Sequence, residues 1–305
     1  VTRVGAVDLG TNSTRLLVAD VTDGQVHEIV RVLEITRLGQ GVDRDGLLAA
    51  DAIGRVLAVL DTYRRLAVDA GATTVLATAT SAVRDAANGA DLLVRIERTL
   101  GFRTRLLSGD EEARATVAGV LAGRVAPPGR VAIVDVGGGS TEVAIAHAGA
   151  LEAAVSVNAG CVRATERWLG DGVAAAGDIA IARSALDGLF AGAVPDAWLP
   201  VDDVIAVAGT ATTAAAVDLE LVEHDPARSH GHVVSVTLVR NLIERLAPLD
   251  CDARGAVRGI EPARAPVIVG GLVVLERVLT RLGADRFEVS ERDILHGIAL
   301  LAAVS

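Results

Sequence analysis

One short pattern occurs twice, and it limits what this chain can become. Residues 4–14 read V-G-A-V-D-L-G-T-N-S-T and residues 131–141 read V-A-I-V-D-V-G-G-G-S-T. The copies agree at the flanking valines, Asp8/Asp135, Gly10/Gly137, Ser13/Ser140 and Thr14/Thr141. Each is an apolar run ending on an acid, then a glycine turn, then a second apolar run at 16–21 or 143–148. A third run follows in both, at 26–33 and 151–157. Strand, glycine turn, strand is a hairpin. Its glycines can take φ > 0 and carry no side chain to hold a ligand away. Successive N–H groups in such a turn can form a nest for phosphate oxygens. A single copy would read equally well as a tight hairpin with nothing bound. Two copies so far apart are not a solenoid repeat. They predict two related domains, each presenting one phosphate-binding turn to a shared cleft.

The candidate phosphate ligands are therefore Gly10, Thr11, Asn12 and Ser13 in the first copy, and Gly137, Gly138, Gly139, Ser140 and Thr141 in the second. Asp8 and Asp135 precede the turns and Glu142 follows the second. Carboxylates beside a phosphate hold a divalent cation, directly or through water. These three are the candidate metal residues.

Composition narrows the partners. The 305 residues suffice for two domains with full cores. A net charge of −10 argues against nonspecific nucleic-acid binding, so an anionic substrate needs a local basic site. All 29 basic residues are arginine, which excludes a Walker A loop and leaves guanidinium forks as the only cationic side chains for phosphate. The longest uncharged apolar runs, 204–217 and 266–275, are too short to span a bilayer. The first residues lack a basic stretch followed by an apolar one, so no secretory signal is expected. Cys161 and Cys251 have no metal spacing and read as thiols in a reducing cytoplasm.

Along the chain, residues 34–46 read as a loop and 50–70 as an amphipathic helix; 74–79 is a short strand. Asn88 is placed to cap a helix reaching 100, and 103–107 is another strand. The first half thus has three strands, helix, strand, helix, strand, helix, the order of a ribonuclease-H-like domain. Ser108-Gly109-Asp110-Glu111 fits a capping box that employs Glu111 and leaves Glu112 without a structural task. Glu112 is then either a cleft-facing acid or a surface residue complementing the helix dipole. Residues 124–129, R-V-A-P-P-G, read as a linker. Arg163 opens a helix near a possible anion site, the alternative being a surface pair with Glu166. Strand 204–208 runs into Gly209-Thr210, a third potential phosphate contact. His230 and His232 lack companion ligands for a metal and read as loop imidazoles touching substrate or the other domain. Residues 236–246, 264–282 and 294–304 read as helices, and 287–290 as a strand.

Taken together, D-L-G-T-N-S (8–13), T-S-A-V-R-D-A (80–86), S-G-D-E-E-A-R (108–114), D-V-G-G-G-S-T-E (135–142), G-C-V-R (160–163) and A-G-T-A-T-T (208–213) resemble the exopolyphosphatase/guanosine pentaphosphate phosphohydrolase (Ppx/GppA) family. That family belongs with actin, sugar kinases and chaperone ATPases, and the resemblance covers nearly the whole chain. It implies an α/β fold of two ribonuclease-H-like domains flanking a central cleft, here 1–124 and 125–293, with the last helix, 294–305, packing back on the first. It implies Glu112 as the catalytic glutamate, and Arg84 is expected to stabilise charge on the transferring phosphoryl oxygens. It further implies Mg²⁺ or Mn²⁺, a cytoplasmic enzyme, a homodimer, and release of terminal phosphate from inorganic polyphosphate. Guanosine pentaphosphate is the alternative substrate, and a non-catalytic (p)ppGpp or nucleotide sensor the alternative role. Longer family members carry C-terminal helical domains absent here, so short polyphosphates are the expected substrates.

Overall fold

The computed structural model describes residues 1–125, 128–170 and 172–304. The linker expected at 124–129 therefore lies, at Ala126 and Pro127, outside the described residues. The chain divides into two compact units, one made of Val1–Val125 with Arg292–Ser305, the other of Ala126–Glu291.

The first unit is built on strands β1 (Thr2–Leu9), β2 (Thr14–Thr22), β3 (Gln25–Glu34), β4 (Thr74–Ala79) and β5 (Arg103–Leu106). Their order is β3-β2-β1-β4-β5, with β1, β2 and β3 antiparallel and β4 and β5 parallel to β1. Successive side chains of a strand point to opposite faces. On one face Val7 and Leu9 meet Val56, Leu60 and Tyr63 of helix Ala50–Asp69 and Leu92 and Ile96 of helix Gly89–Leu100. On the other, Val4 and Ala6 meet Ala115 of helix Gly109–Leu121 and Leu295, Ile298 and Ala299 of helix Ile294–Val304. Burial on both faces is why β1 reads as a continuous apolar run and not an alternating one. The two helices of that second face touch backbone to backbone. A Cβ added at Gly297 would lie 1.9 Å from Ala115 O, and one at Gly119 would lie 2.0 Å from Asp293 O. Only glycine permits this crossing, and it sets the position of Asp293.

The second unit carries β6 (Arg130–Val136), β7 (Thr141–His147), β8 (Ala150–Val157), β9 (Asp203–Val207), β10 (Val233–Ser235) and β11 (Arg286–Val289). Their order is β10-β11-β9-β6-β7-β8. Strand β9 runs parallel to β6 and β11 parallel to β9, while β10 closes the edge antiparallel to β11. Phe190 of helix Ala176–Ala193, Ala214 of Ala208–Asp218, Leu242 of Val236–Leu246 and Val273 of Ile268–Leu282 share one core with Val134 and Ile145.

The duplication seen in the sequence extends to irregular details. The second and third strands are joined by Asp23-Gly24 in one unit and Ala148-Gly149 in the other, all four residues at positive φ. Two such residues make the primed turn that suits a twisted hairpin. A bulge interrupts both hairpins, between Val18 and Ala19 and between Ile145 and Ala146.

Some local expectations are corrected. The helix expected over 264–282 begins at Ile268; Pro262–Arg264 is a separate single turn, because proline lacks the N–H a continuing helix needs. Val42–Asp45 forms a helical turn inside the expected loop, and the three-residue β10 is too short to show an alternating pattern. Asn88 does precede helix Gly89–Leu100, but its side chain does not cap it. It pairs instead with Leu48 N and O at 2.9 and 3.0 Å.

Candidate active site

The two glycine turns have the same closure. Gly10 N donates to Ser13 O and Gly137 N to Ser140 O, each at 3.0 Å. None of Gly10, Gly137, Gly138 and Gly139 has the positive φ expected of them. Glycine is needed for clearance: a Cβ at Gly10 would lie 2.8 Å from Ser13 O, and one at Gly137 3.1 Å from Ser140 O.

What aims each turn is a loop that returns after the third strand. In the first unit Gly39 N holds Thr11 O and Arg37 N holds Asn12 O, both at 2.8 Å, while Thr36 Oγ1 meets Thr14 Oγ1 at 2.9 Å. In the second, Cys161 N holds Gly137 O at 2.9 Å, and Gly138 O accepts from Val162 N at 2.9 Å and Arg163 N at 3.2 Å. Arg163 Nε donates to Gly139 O at 2.8 Å, and the Thr141 hydroxyl donates to Ala159 O. In a trans peptide the N–H points opposite to its C=O. Tying back the carbonyls of Thr11 and Asn12 therefore turns out the N–H groups of Asn12 and Ser13. Tying back those of Gly137, Gly138 and Gly139 turns out the N–H groups of Gly138, Gly139 and Ser140. Each turn thus presents a fan of donors suited to an anion. Arg163 is buried, and its Nε braces the turn from behind.

Glu112 and Arg84 come together in the first unit. Ser108 and Glu111 form the full capping box, and Glu111 is further bound by Arg105. Those backbone and side-chain contacts at Ser108, with Arg105, lower the Glu111 pKa to about 2. Glu112, one position on, is buried, not a surface residue. Its Oε2 lies 3.1 Å from Arg84 Nη1, which also donates to Leu107 O at 2.8 Å. Arg84 Nε and Nη2 have no partner among the described residues and remain available to phosphate oxygens. Ser81, at the head of the same short helix, meets Thr11 through its hydroxyl at 3.0 Å, tying this helix to the first turn.

The acids beside the turns are not equivalent. Asp135 and Glu142 are direct cross-strand partners on β6 and β7, both buried, with Ser156 Oγ donating to Glu142 Oε1 at 2.7 Å. Asp8 has Arg15 as its cross-strand partner, where the second copy has Glu142. Arg15 Nη2 and Nε reach Asp8 Oδ2 at 2.7 and 3.1 Å. Burial raises the Asp8 pKa against the pull of Arg15. Among the described residues no group of three His, Cys, Asp or Glu is arranged to hold a metal.

At the third turn, Gly209 lies against the Arg264 guanidinium: a Cβ there would be 1.7 Å from Nη1. Thr210 is buried, and its hydroxyl faces Gly271. Arg264 was not visible as a candidate in sequence because three helices and a strand separate it from the helix that carries Gly209. Burial pushes the Cys161 thiol up to about 11, which disfavours its thiolate. His232 pairs with Asp218 at 2.7 Å, and His230 Nδ1 accepts from Glu291 N at 3.2 Å, which places both in their own unit's packing.

Two sheets with the same three-stranded hairpin start, each carrying a phosphate-type turn, define the duplicated ribonuclease-H-like fold of actin-like ATPases. Comparison with known proteins narrows this. The sequence matches the Ppx/GppA phosphatase family over residues 17–303. It is 34% identical to Exopolyphosphatase 2 of Mycobacterium tuberculosis, over 99% of each chain. It superposes on an exopolyphosphatase-like protein with a TM-score of 0.91 at 31% identity, covering 99% of this chain and 98% of the other. The Ppx/GppA member of Aquifex aeolicus gives 0.83 at 28%, over 99% and 98%. The chain belongs to the Ppx/GppA phosphatase family.

Proposed function

We propose that the protein is an exopolyphosphatase that releases the terminal phosphate of inorganic polyphosphate by attack of water. The observation carrying this is the pair of backbone donor fans, one per unit, in a chain that also holds a buried Glu112 on Arg84. Phosphoryl transfer needs little covalent chemistry from the protein and rests on positioning and charge. In this reading the N–H groups around Asn12–Ser13 and Gly138–Ser140 bind phosphate oxygens, with Thr11, Thr141, Gly209, Thr210 and Arg264 completing the contacts. Arg163 acts through the turn it braces. Arg84 Nε and Nη2 take the charge of the transferring group. Glu112 accepts a proton from the attacking water and orients it.

The carboxylates fit a magnesium-type ion only in one manner. Mg²⁺ typically uses one or two carboxylates and takes its other ligands from substrate phosphates and water. The opposed Asp135 and Glu142 of the second unit match that donor set, and in the first unit Asp8 Oδ1 is buried without a partner among the described residues and could hold a cation's water. Such a cation would neutralise phosphate charge. No helix among the described residues is long and apolar enough to cross a membrane.

The test is a phosphate-release panel on polyphosphates of defined length and on guanosine pentaphosphate, with and without Mg²⁺. Mg²⁺-dependent release from polyphosphate is expected. Release only from guanosine pentaphosphate would replace the substrate assignment. Tight nucleotide binding without any release would replace catalysis by sensing.

A further inference from the structure

We propose that Asp293, at the head of the C-terminal helix, is a positioning residue for this reaction. It takes one end of the Arg15 guanidinium and so keeps one oxygen of Asp8 open beside the first phosphate turn. The inference rests on the hydrolytic reading above and deepens it.

The geometry at Arg15 is unusual for an arginine facing a carboxylate. Such pairs commonly close as a fork, two parallel bonds to two oxygens. Here Nη2 and Nε both fall on Asp8 Oδ2, and Oδ1 is left buried with no partner among the described residues. Arg15 Nη1 is engaged elsewhere, in a short contact with Asp293 Oδ2. The Asp8 carboxylate sits at the turn itself, since a Cβ at Gly10 would be 3.5 Å from Oδ2. The second copy has no counterpart to this arrangement, because Glu142 stands at the position of Arg15.

Asp293 is held firmly enough to act in this manner. Its Oδ1 accepts from Leu295 N at 2.9 Å, and its own N–H lies 3.3 Å from His296 Nδ1. His296 Nε2 meets Glu28 Oε1 on β3 at 2.9 Å, and Arg31 Nη2 reaches Asp293 Oδ2 at 3.5 Å. Its backbone is pinned where the C-terminal helix crosses Gly119. Burial works against the charged form, yet Arg15, His296 and Arg31 together keep the carboxyl well below the usual carboxylate range. A charged, fixed acceptor thus draws Nη1 away from Asp8. All these groups belong to the first unit.

The test uses Asp293→Asn in the full chain. The amide keeps an oxygen for Leu295 N–H but turns a donor toward Arg15 Nη1, which releases the guanidinium to fork onto both oxygens of Asp8. The probe is Mg²⁺ with imidodiphosphate, a non-hydrolysable P–N–P compound, titrated by calorimetry alongside phosphate release from polyphosphate. The expected result is binding weaker by roughly tenfold or more, as for outer partners of ligand sets, with a comparable fall in kcat/KM. In an Arg15→Gln background the same substitution should have no further effect on binding, whereas a merely structural role would be additive. Ala302→Gly, which weakens the core at the far end of the same helix and leaves Asp293 and Arg15 untouched, should lower Tm and leave binding unchanged. Should Asp293→Asn fail to fold, Asp293→Ser retains a capping oxygen that is too short to reach Arg15, and should give the same loss. Wild-type-like binding in these variants, or additivity with Arg15→Gln, overturns the positioning role alone. No binding and no phosphate release by the wild type overturns the hydrolytic reading and this inference with it.

Discussion

Replacing Glu112 by Gln separates its catalytic from its structural part. The amide keeps the side chain's shape and an oxygen for Arg84 Nη1, now 3.1 Å from Oε2, but it cannot accept a proton from water. General-base catalysis contributes about 10²–10⁴-fold, which at about 1.36 kcal/mol per decade raises the barrier by about 2.7–5.4 kcal/mol. The stability cost is smaller. The Arg84 side chain is 25% exposed and that of Glu112 9%, so water screens one partner, and the capping box is made by Ser108 and Glu111. Losing the charge should cost about 1 kcal/mol, a fall in Tm of about 2–4 °C. The assay is steady-state phosphate release from polyphosphate at saturating Mg²⁺, with thermal unfolding on the same preparation. The expected outcome is a folded protein with kcat down by at least two decades and KM little changed. A kcat within about threefold of wild type would remove Glu112 from proton transfer, since a base is worth far more than that.

Three further outcomes follow from backbone and capping geometry. Ala208 opens its helix at φ 65, a conformation costing a non-glycine residue about 1–2 kcal/mol; Ala208→Gly should raise Tm by a few degrees after the entropy of glycine is subtracted, and an unchanged or lower Tm would show the strain is not there. Gly297→Ala puts a methyl 1.9 Å from Ala115 O, and parting the two helices should cost about 1–3 kcal/mol in chemical denaturation; an unperturbed midpoint would mean that they do not cross at the glycines. Glu111 has its pKa lowered from 4.5 to about 2, so its contribution is present above pH 4.5 and lost as pH falls through about 2. The stability gap between wild type and Glu111→Gln should therefore be full at neutral pH and close in that acid window; a gap independent of pH would assign it to packing.

Much of this protein is determined by its sequence alone, because it is written in local terms. An apolar run buried on both sheet faces, an acid at its end and a glycine turn are contiguous, so the duplicated hairpins of 4–21 and 131–148 are legible without coordinates. The capping box is equally local, and assigning Glu111 to it leaves Glu112 over. Tertiary structure alone decided the rest, where the deciding contact joins distant residues. Gly10 and Gly137 turned out to be required for clearance to a serine carbonyl and not for positive φ, and the returning loops at 36–39 and 159–163 hold the carbonyls of the turns. Arg163 was legible only as a residue near a possible anion site; that its Nε finds Gly139 O is a matter of tertiary contact. Arg264 reaches Gly209, and Asp293 reaches Arg15, across long stretches of chain. Periodicity reports which face of an element is buried, but which residue lies opposite is set by crossing and register, and those come from packing.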